Sequence, residues 1–245
     1  MTQLIQISDL HLYANANNCL DEINTQAALE AVLGHVQQQQ PELLVMSGDL
    51  SQDGSLLSYQ RLAKTVSAMH CPVYWVQGNH DDIDNASIGL KSTNLSADRT
   101  ILINGWQIVL LDSTAPGLDD GFIGSVDFKH LKQCLIRHPN LPALIVMHHP
   151  PVAVGCYMDA VKVINDQQFL TSLYSFPQVR LVLFGHIHQE FQAIHQGIHF
   201  LGAPATSVQF VPQVEKFAID TSLTPGYRWI NLQPEGNFST GIIRI

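Results

Sequence analysis

Leu4-Ile5-Gln6-Ile7-Ser8-Asp9-Leu10-His11 is the stretch from which the rest of the chain can be read. A short, mostly apolar run of strand length leads directly into an aspartate and a histidine two positions apart. The pattern then recurs four times. Leu43 to Met46 leads into Gly48-Asp49, Val73 to Val76 into Gly78-Asn79-His80-Asp81, Leu144 to Met147 into His148-His149, and Leu181 to Phe184 into Gly185-His186-Ile187-His188. Helical repeats separate these runs: Ile23 to Val36 behind an Asn24 or Thr25 cap, Leu56 to Met69, Val126 to Ile136, and a helix near Asp166 to Tyr174. Buried strands alternating with helices imply parallel crossovers and an α/β fold, in which sites collect at the carboxyl ends of strands.

A further strand is expected at Gln107 to Leu111. From Ile198 onward the text favours strands (Ile198 to Leu201, Tyr227 to Leu232, Gly241 to Ile245), with a turn at Pro225-Gly226. This tail is expected to join a second, more antiparallel sheet. The segment Asp81 to Thr100 has no clear periodicity and reads as an active-site loop. The expected architecture is one domain over 1–245 built from two facing mixed β-sheets flanked by helices.

Composition narrows the partners. A 245-residue chain that is 46% hydrophobic and 13% charged is an ordinary globular protein. Its formal charge of −9 argues against long nucleic acid or an anionic membrane, since both require basic patches. A small anion stays compatible, because bound dications would create a local positive field. No apolar run reaches the length of a membrane span, and Met1-Thr2-Gln3-Leu4-Ile5 lacks the start of a signal peptide, so a cytoplasmic location is expected. Cys19, Cys71, Cys134 and Cys156 form no Cys-x-x-Cys pair and suit reduced thiols. Oligomeric state leaves no mark in the sequence.

The strand-end clusters hold hard oxygen and borderline nitrogen donors without a thiolate. Asp49 has two oxygens and can bridge two cations, Asn79 offers a neutral amide oxygen, and His80 beside it is a candidate acid. Six of the twelve histidines, His11, His80, His148, His149, His186 and His188, fall in these clusters; the other six read as surface or structural residues. Zinc-finger spacing is absent.

The order Asp-x-His, Gly-Asp, Gly-Asn-His-Asp, His-His, Gly-His-x-His resembles that of the calcineurin-like metallophosphoesterases. More narrowly, Ile5 to Asp9 with Leu12, Asn24-Thr25, Pro204 to Phe210 and Pro225 to Arg228 resemble bacterial class III 3′,5′-cyclic AMP phosphodiesterases. The resemblance implies a four-layer α/β/β/α sandwich and two metal ions, divalent or mixed-valence. The first would be held by Asp9, His11, Asp49 and His188, the second by Asp49, Asn79, His148 and His186. Mixed nitrogen and oxygen donors suit manganese, iron or zinc. Two such ions would share and acidify a water that attacks phosphorus in line, with His80 as proton donor or phosphate stabiliser on the leaving-group side. His149, with Asn79 and His80, is expected to line the substrate pocket, and Asp81 and Asp112 to support the site from behind.

The function implied is hydrolysis of a small-molecule 3′,5′-cyclic nucleotide, cyclic AMP foremost, to its 5′-monophosphate. A broader metallophosphoesterase acting on other diesters or on monoesters is the alternative. A non-catalytic metal-binding scaffold is disfavoured, because all seven ligand positions and His80 are present. Two departures stand out: Gln77 occupies a position where relatives commonly have proline, and Tyr13 to Glu22 matches the cyclic nucleotide enzymes poorly.

Overall fold

Leu43-Leu44-Val45-Met46 carries no polar residue on either face, and the strand it forms is buried on both. The computed structural model describes every residue from Met1 to Ile245, and this double burial recurs in Leu4–Ile7, Ala143–Val146 and Leu181–Phe184, while in Val73–Val76 the rings of Tyr74 and Trp75 are half-buried. The first half runs β1 (Thr2–Ile7), a small hairpin of β2 (Cys19–Leu20) and β3 (Ile23–Asn24), α1 (Thr25–Gln38), β4 (Leu43–Ser47), α2 (Leu56–Val66), β5 (Val73–Val76), α3 (Ile83–Gly89) and β6 (Leu95–Ser96). The second half runs β7 (Thr100–Ile103), β8 (Trp106–Leu110), α4 (Ser125–Arg137), β9 (Ala143–Val146), a 3-10 turn (Tyr157–Val161), α5 (Asp166–Tyr174), β10 (Val179–Phe184), β11 (Phe191–His195), β12 (Ile198–Gly202), β13 (Gly226–Leu232) and β14 (Phe238–Arg244).

Two six-stranded mixed sheets result, ordered β14-β13-β1-β4-β5-β6 and β11-β12-β10-β9-β8-β7. Strand alternation assigns the side chains to layers. Leu43 and Val45 point between the sheets, where they meet Leu144, Val146, Leu181 and Leu183, while Leu44 and Met46 point to the helices α1 and α2. Ile145, Val182 and Phe184 take the equivalent outer face of the second sheet beneath α4 and α5. Three apolar layers therefore hold four structural ones, as expected. Asn24 caps α1 through Ala27 N–H at 2.8 Å, and Ser55 caps α2.

The tail departs from its expected place. Ile198–Gly202 does join the second sheet, parallel to β10, but β13 and β14 return to the first sheet, where β13 pairs antiparallel with β1. Arg228 of β13 ties the two sheets together. Its guanidinium is buried and donates to the carbonyls of Gly202 (2.8 Å) and Phe191 (3.2 Å) and to the Thr240 hydroxyl (3.1 Å). Asp81 to Thr100 is also not one loop: Asp82 caps α3 through Asn85 N–H, and Leu95-Ser96 adds an edge strand. No helix is long and apolar enough to cross a membrane, and all four cysteines are free thiols.

Candidate metal centre

β1, β4 and β5 run parallel in one sheet, as do β9 and β10 in the other, so five carboxyl ends open on the same edge of the molecule. The chain does not continue extended into the clusters. Asp9 (φ 55°), His11 (φ 50°), Asp49 (φ 49°), His186 (φ 67°) and His188 (φ 48°) all take the left-handed conformation, which non-glycine residues rarely adopt. The strand-like Asp9-Leu10-His11 geometry, in which both side chains would share a face by alternation, is therefore replaced by successive tight turns. Cross-loop bonds hold them: Asp9 N–H donates to the Gly48 carbonyl (3.1 Å), His11 N–H to that of Asp49 (2.9 Å), and His186 N–H to the Asp9 carboxylate (2.9 Å). Two glycines make room for this crowding. A Cβ on Gly48 (φ 96°) would strike the His148 ring, and one on Gly78 would strike the Asp49 carboxylate.

The side chains converge in two overlapping groups. In one, His148 Nε2 lies 3.3 Å from Asp49 Oδ2 and 3.2 Å from Asn79 Oδ1. In the other, His11 Nε2 and His188 Nε2 are 3.0 Å apart, with Asp49 Oδ2 3.7 Å from the first and Asp9 Oδ1 3.6 Å from the second. Asp49 belongs to both. Backbone carbonyls orient two of the rings, since His148 Nδ1–H donates to Ser47 O and His188 Nδ1–H to Val208 O, each at 2.8 Å. Their Nε2 atoms are thereby left aimed into the site. His186 Nε2 is buried with no protein partner. Phe210 fixes the His188 plane further by stacking on it at 4.0 Å and 5°.

Burial dominates the electrostatics. It pushes His11 and His188 down to about 4 and His186 well below the ordinary imidazole value, so these rings are neutral and able to donate a lone pair. Burial likewise raises Asp9 to about 6, and neighbouring Asp49 adds to the shift. For Asp49 burial is outweighed by the His148 charge and hydrogen bond, which hold its carboxyl well below the usual range. His148 responds in kind: burial opposes its charge, yet Asp49 raises it to about 9. Buried imidazoles and carboxylates whose free atoms face one another, with two ring nitrogens at 3.0 Å, are a donor set that divalent cations fit.

The remaining expected residues separate by position. His80 is exposed at the rim, its ring edge-on to His11 at 5.0 Å and its backbone N–H on Asp49 Oδ1 (3.0 Å). Gln52 Nε2 donates to His80 Nδ1 (3.2 Å), which leaves the proton of the neutral ring on Nε2. Asp81 is an anchor: it accepts from the backbone N–H groups of Gly78, Leu50 and Ser51 and from the Tyr59 hydroxyl. His149 does not line the cleft as expected. It is buried beside His148 and His186, with a ring nitrogen within 4.8 Å of one on each, and its Nδ1 faces Ser113 Oγ at 2.9 Å. That oxygen already accepts from the His148 and His149 backbone N–H groups, so it must donate to Nδ1 and leave His149 protonated on Nε2. Asp112 bonds no histidine and acts on the neighbouring strand end instead. Its carboxylate takes Gln77 Nε2 (2.7 Å) and the Thr114 N–H and hydroxyl, so Gln77, in place of proline, links the ends of β5 and β8.

The centre forms the floor of a cleft of about 510 Å³ whose lining includes Gln52, Asp21, Asp119, Tyr157, Phe210 and Phe217. None of these six was identified as functional in the sequence. Phe210 lies in the quoted Pro204–Phe210 segment, but no role followed from it there, and Gln52, only three residues past Asp49, had the nearest available signal.

Comparison with known proteins agrees with this geometry. The family model described as calcineurin-like phosphoesterase matches residues 2–190. The chain is similar to the 3′,5′-cyclic adenosine monophosphate phosphodiesterase CpdA of Pseudomonas aeruginosa, at 36% identity over 99% of this chain and 89% of that protein. It is equally similar, at 36% identity over 99% of this chain and 92% of the relative, to a 3′,5′-cyclic-nucleotide phosphodiesterase of Nostoc. Among solved structures, a dimetal phosphatase from Danio rerio superposes with a TM-score of 0.64 at 14% identity, covering 99% of this chain and 98% of that one. A likeness at that identity speaks for the fold alone, whereas the family match spans the strands that carry every cluster. The chain therefore belongs to the calcineurin-like phosphoesterases.

Proposed function

We propose that the chain is a metal-dependent phosphodiesterase that hydrolyses 3′,5′-cyclic nucleotides, cyclic AMP foremost, to 5′-monophosphates. The observation that carries this reading is the sharing of one carboxylate, Asp49, between two groups of inward-facing donors. The relatives that match nearly the whole chain are named for the same reaction. Asp9, His11, Asp49 and His188 would hold one ion, and Asp49, Asn79, His148 and His186 the other, with manganese, iron or zinc suited to the donors. Two such ions supply Lewis acidity toward the phosphate oxygens and a water acidified to serve as nucleophile near neutral pH.

The chain's own part is positioning and proton transfer. Ser47 and Val208 carbonyls keep two imidazoles aimed. His80, held to Asp49 through its backbone and close to Gln52 through Nδ1, presents Nε2–H at the cleft rim; as an imidazolium, with the Gln52 amide turned so that its oxygen accepts Nδ1–H, it would give the Nε2 proton to the departing ribose oxygen and be left a neutral ring. Asp81 pins the segment carrying Asn79 and His80 to Leu50 and Ser51. A cytoplasmic location and one catalytic domain over 1–245 complete the reading; the four free thiols and the absence of a helix suited to a membrane support the first.

The test is direct. Manganese-loaded protein is assayed on 3′,5′-cyclic AMP, 3′,5′-cyclic GMP, 2′,3′-cyclic AMP and a phosphomonoester, with the highest kcat/KM expected on 3′,5′-cyclic AMP. A preference for the monoester would overturn the diesterase assignment, and a protein that binds no metal would overturn the whole.

A further inference from the structure

We infer that Phe217, with Tyr157 and Phe210, forms the platform on which the substrate's nucleobase stacks. This rests on the cyclic nucleotide reading above and assigns the half of the cleft that the reaction itself does not use. The cleft has two characters. One part is the donor centre with His80 and Gln52; another is the aromatic cluster of Tyr157, Phe210 and Phe217 with Ile219 beside it, and Asp21 and Asp119 also line the cleft.

The aromatic side starts at the metal centre and leads outward. Phe210 stacks on His188, Phe217 meets Phe210 edge-on at 5.1 Å and 74°, and Tyr157 closes the triangle at 5.5 Å from Phe217 and 6.0 Å from Phe210. Phe217 is nonetheless 60% exposed. A phenyl ring left in water beside a polar site, while its neighbours Phe210 and Tyr157 are half-buried, has an unused face suited to a flat partner.

The platform is also held in place. Phe210 bridges Ile219, Val211 N–H donates to the Ala218 carbonyl (2.9 Å), and Asp220 N–H donates to that of Gln209 (2.8 Å), so Phe217 rides on a short antiparallel arm. Tyr157 N–H donates to the Val214 carbonyl at 3.0 Å, fastening the 3-10 turn to the same arm. In a 3′,5′-cyclic nucleotide the fused ribose and phosphate rings are rigid, so the base stands at a fixed offset from phosphorus. A platform rooted on a candidate ligand imidazole can match that offset, and stacking on a ring face accepts any base.

The experiment compares 3′,5′-cyclic AMP with the 3′,5′-cyclic phosphate of methyl riboside, which has no base, on manganese-loaded wild type, Phe217→Ala and Phe217→Trp. The ratio of kcat/KM for cyclic AMP to that for the base-free substrate is expected to fall about tenfold in Phe217→Ala, chiefly through KM, and to be retained in Phe217→Trp. Adenosine, which has the base without phosphate, is expected to inhibit wild-type turnover of the base-free substrate and to weaken by a similar factor against Phe217→Ala. An unchanged ratio, or adenosine inhibition equal in the two proteins, overturns the platform while leaving the phosphodiesterase reading intact. Wild type inert on both cyclic phosphates removes that reading, and the platform with it.

Discussion

Replacing Asp81 by asparagine preserves the side chain's volume and removes its charge, which puts two effects in competition. The carboxylate accepts Leu50 N–H (3.1 Å) and Gly78 N–H (2.9 Å) on Oδ2, and Ser51 N–H (2.9 Å) and Tyr59 OH (3.0 Å) on Oδ1. An amide keeps one oxygen. In its better orientation the NH2 group faces Ser51 and Tyr59; the hydroxyl can turn to accept, but the buried Ser51 N–H is orphaned. One stranded donor and the lost charge assistance on the bonds that survive cost about 3–5 kcal/mol together. Against this, burial first and Asp49 second push the Asp81 carboxyl up to about 6 from 3.8. At pH 7.5 the wild-type fold therefore carries a penalty of at most about 3 kcal/mol, an upper bound for a residue only partly covered, and asparagine relieves it.

The net deficit of Asp81→Asn at pH 7.5 thus lies between about 0 and 5 kcal/mol, the low end being reached only if the whole penalty is relieved. Its pH dependence is the sharper result. Between pH 6 and 3.8 the folded wild type binds a proton that the unfolded chain does not, so this group's penalty fades as pH falls. Asparagine gains nothing on acidification, and its deficit should widen by about 1 kcal/mol from pH 7.5 to pH 5. Urea denaturation of the two chelator-treated proteins at both pH values measures this. A deficit that stays constant or shrinks on acidification refutes the assignment of Asp81 as a strained carboxylate anchor. In the metal-loaded protein kcat should also fall, by about 10²-fold, because Asn79 and His80 lie on the segment that Asp81 pins.

Three further outcomes follow from the geometry. His80→Ala should lower kcat by about 10²–10⁴ with metal content by elemental analysis unchanged, since His80 contributes a proton rather than a ligand; equal rates would remove it from the mechanism. Gly48→Ala should fail to assemble the centre, because its Cβ meets the His148 ring and φ is 96°, so a variant with wild-type metal affinity would contradict the packing. Metal-free protein should lose thermal stability from pH 6.5 to 4.5: burial holds His11, His149, His186 and His188 neutral in the fold, while the raised Asp9 and Asp81 act in the opposite direction. Four groups against two leave the unfolded chain binding about two more protons near pH 5, so a Tm that rises on acidification would reverse the sign.

The legible part of this protein was whatever repeats locally. Apolar runs such as Leu43–Met46 and helices such as Asp166–Tyr174 follow from burial patterns a few residues long, and the clusters after them follow from residue type. Sheet membership of the tail was not legible, because Tyr227–Leu232 reads as a strand whether it pairs with β1 or with β12. The structure pairs it with β1, and Arg228 then reaches carbonyls of Gly202 and Phe191 in the other sheet; main-chain partners of this kind leave no trace in a sequence. The same blindness hid the Ser47 and Val208 carbonyls that aim His148 and His188. The place of His149 was hidden for a related reason. Adjacent histidines look alike in sequence, and only the two N–H groups that saturate Ser113 Oγ separate the ring aimed at Asp49 from the one bound to Ser113 beside it.

The five left-handed donors bear on what the centre is for. At about 1 kcal/mol or more each, Asp9, His11, Asp49, His186 and His188 together cost on the order of 5 kcal/mol of backbone strain, comparable with the whole folding stability of an ordinary domain. Burying four imidazoles and two carboxylates without equal numbers of partners adds to that cost. Neither expense improves the packing of the sheets, whose three apolar layers are complete without it. Cations that bind the folded centre and not the unfolded chain would offset both, and would stabilise the fold in proportion to RT ln(1 + [L]/Kd). A chain that needed only this sandwich could end its strands in relaxed turns. This one holds its donors in strained turns with their free atoms already converged, so little reorganisation is left to the binding step itself.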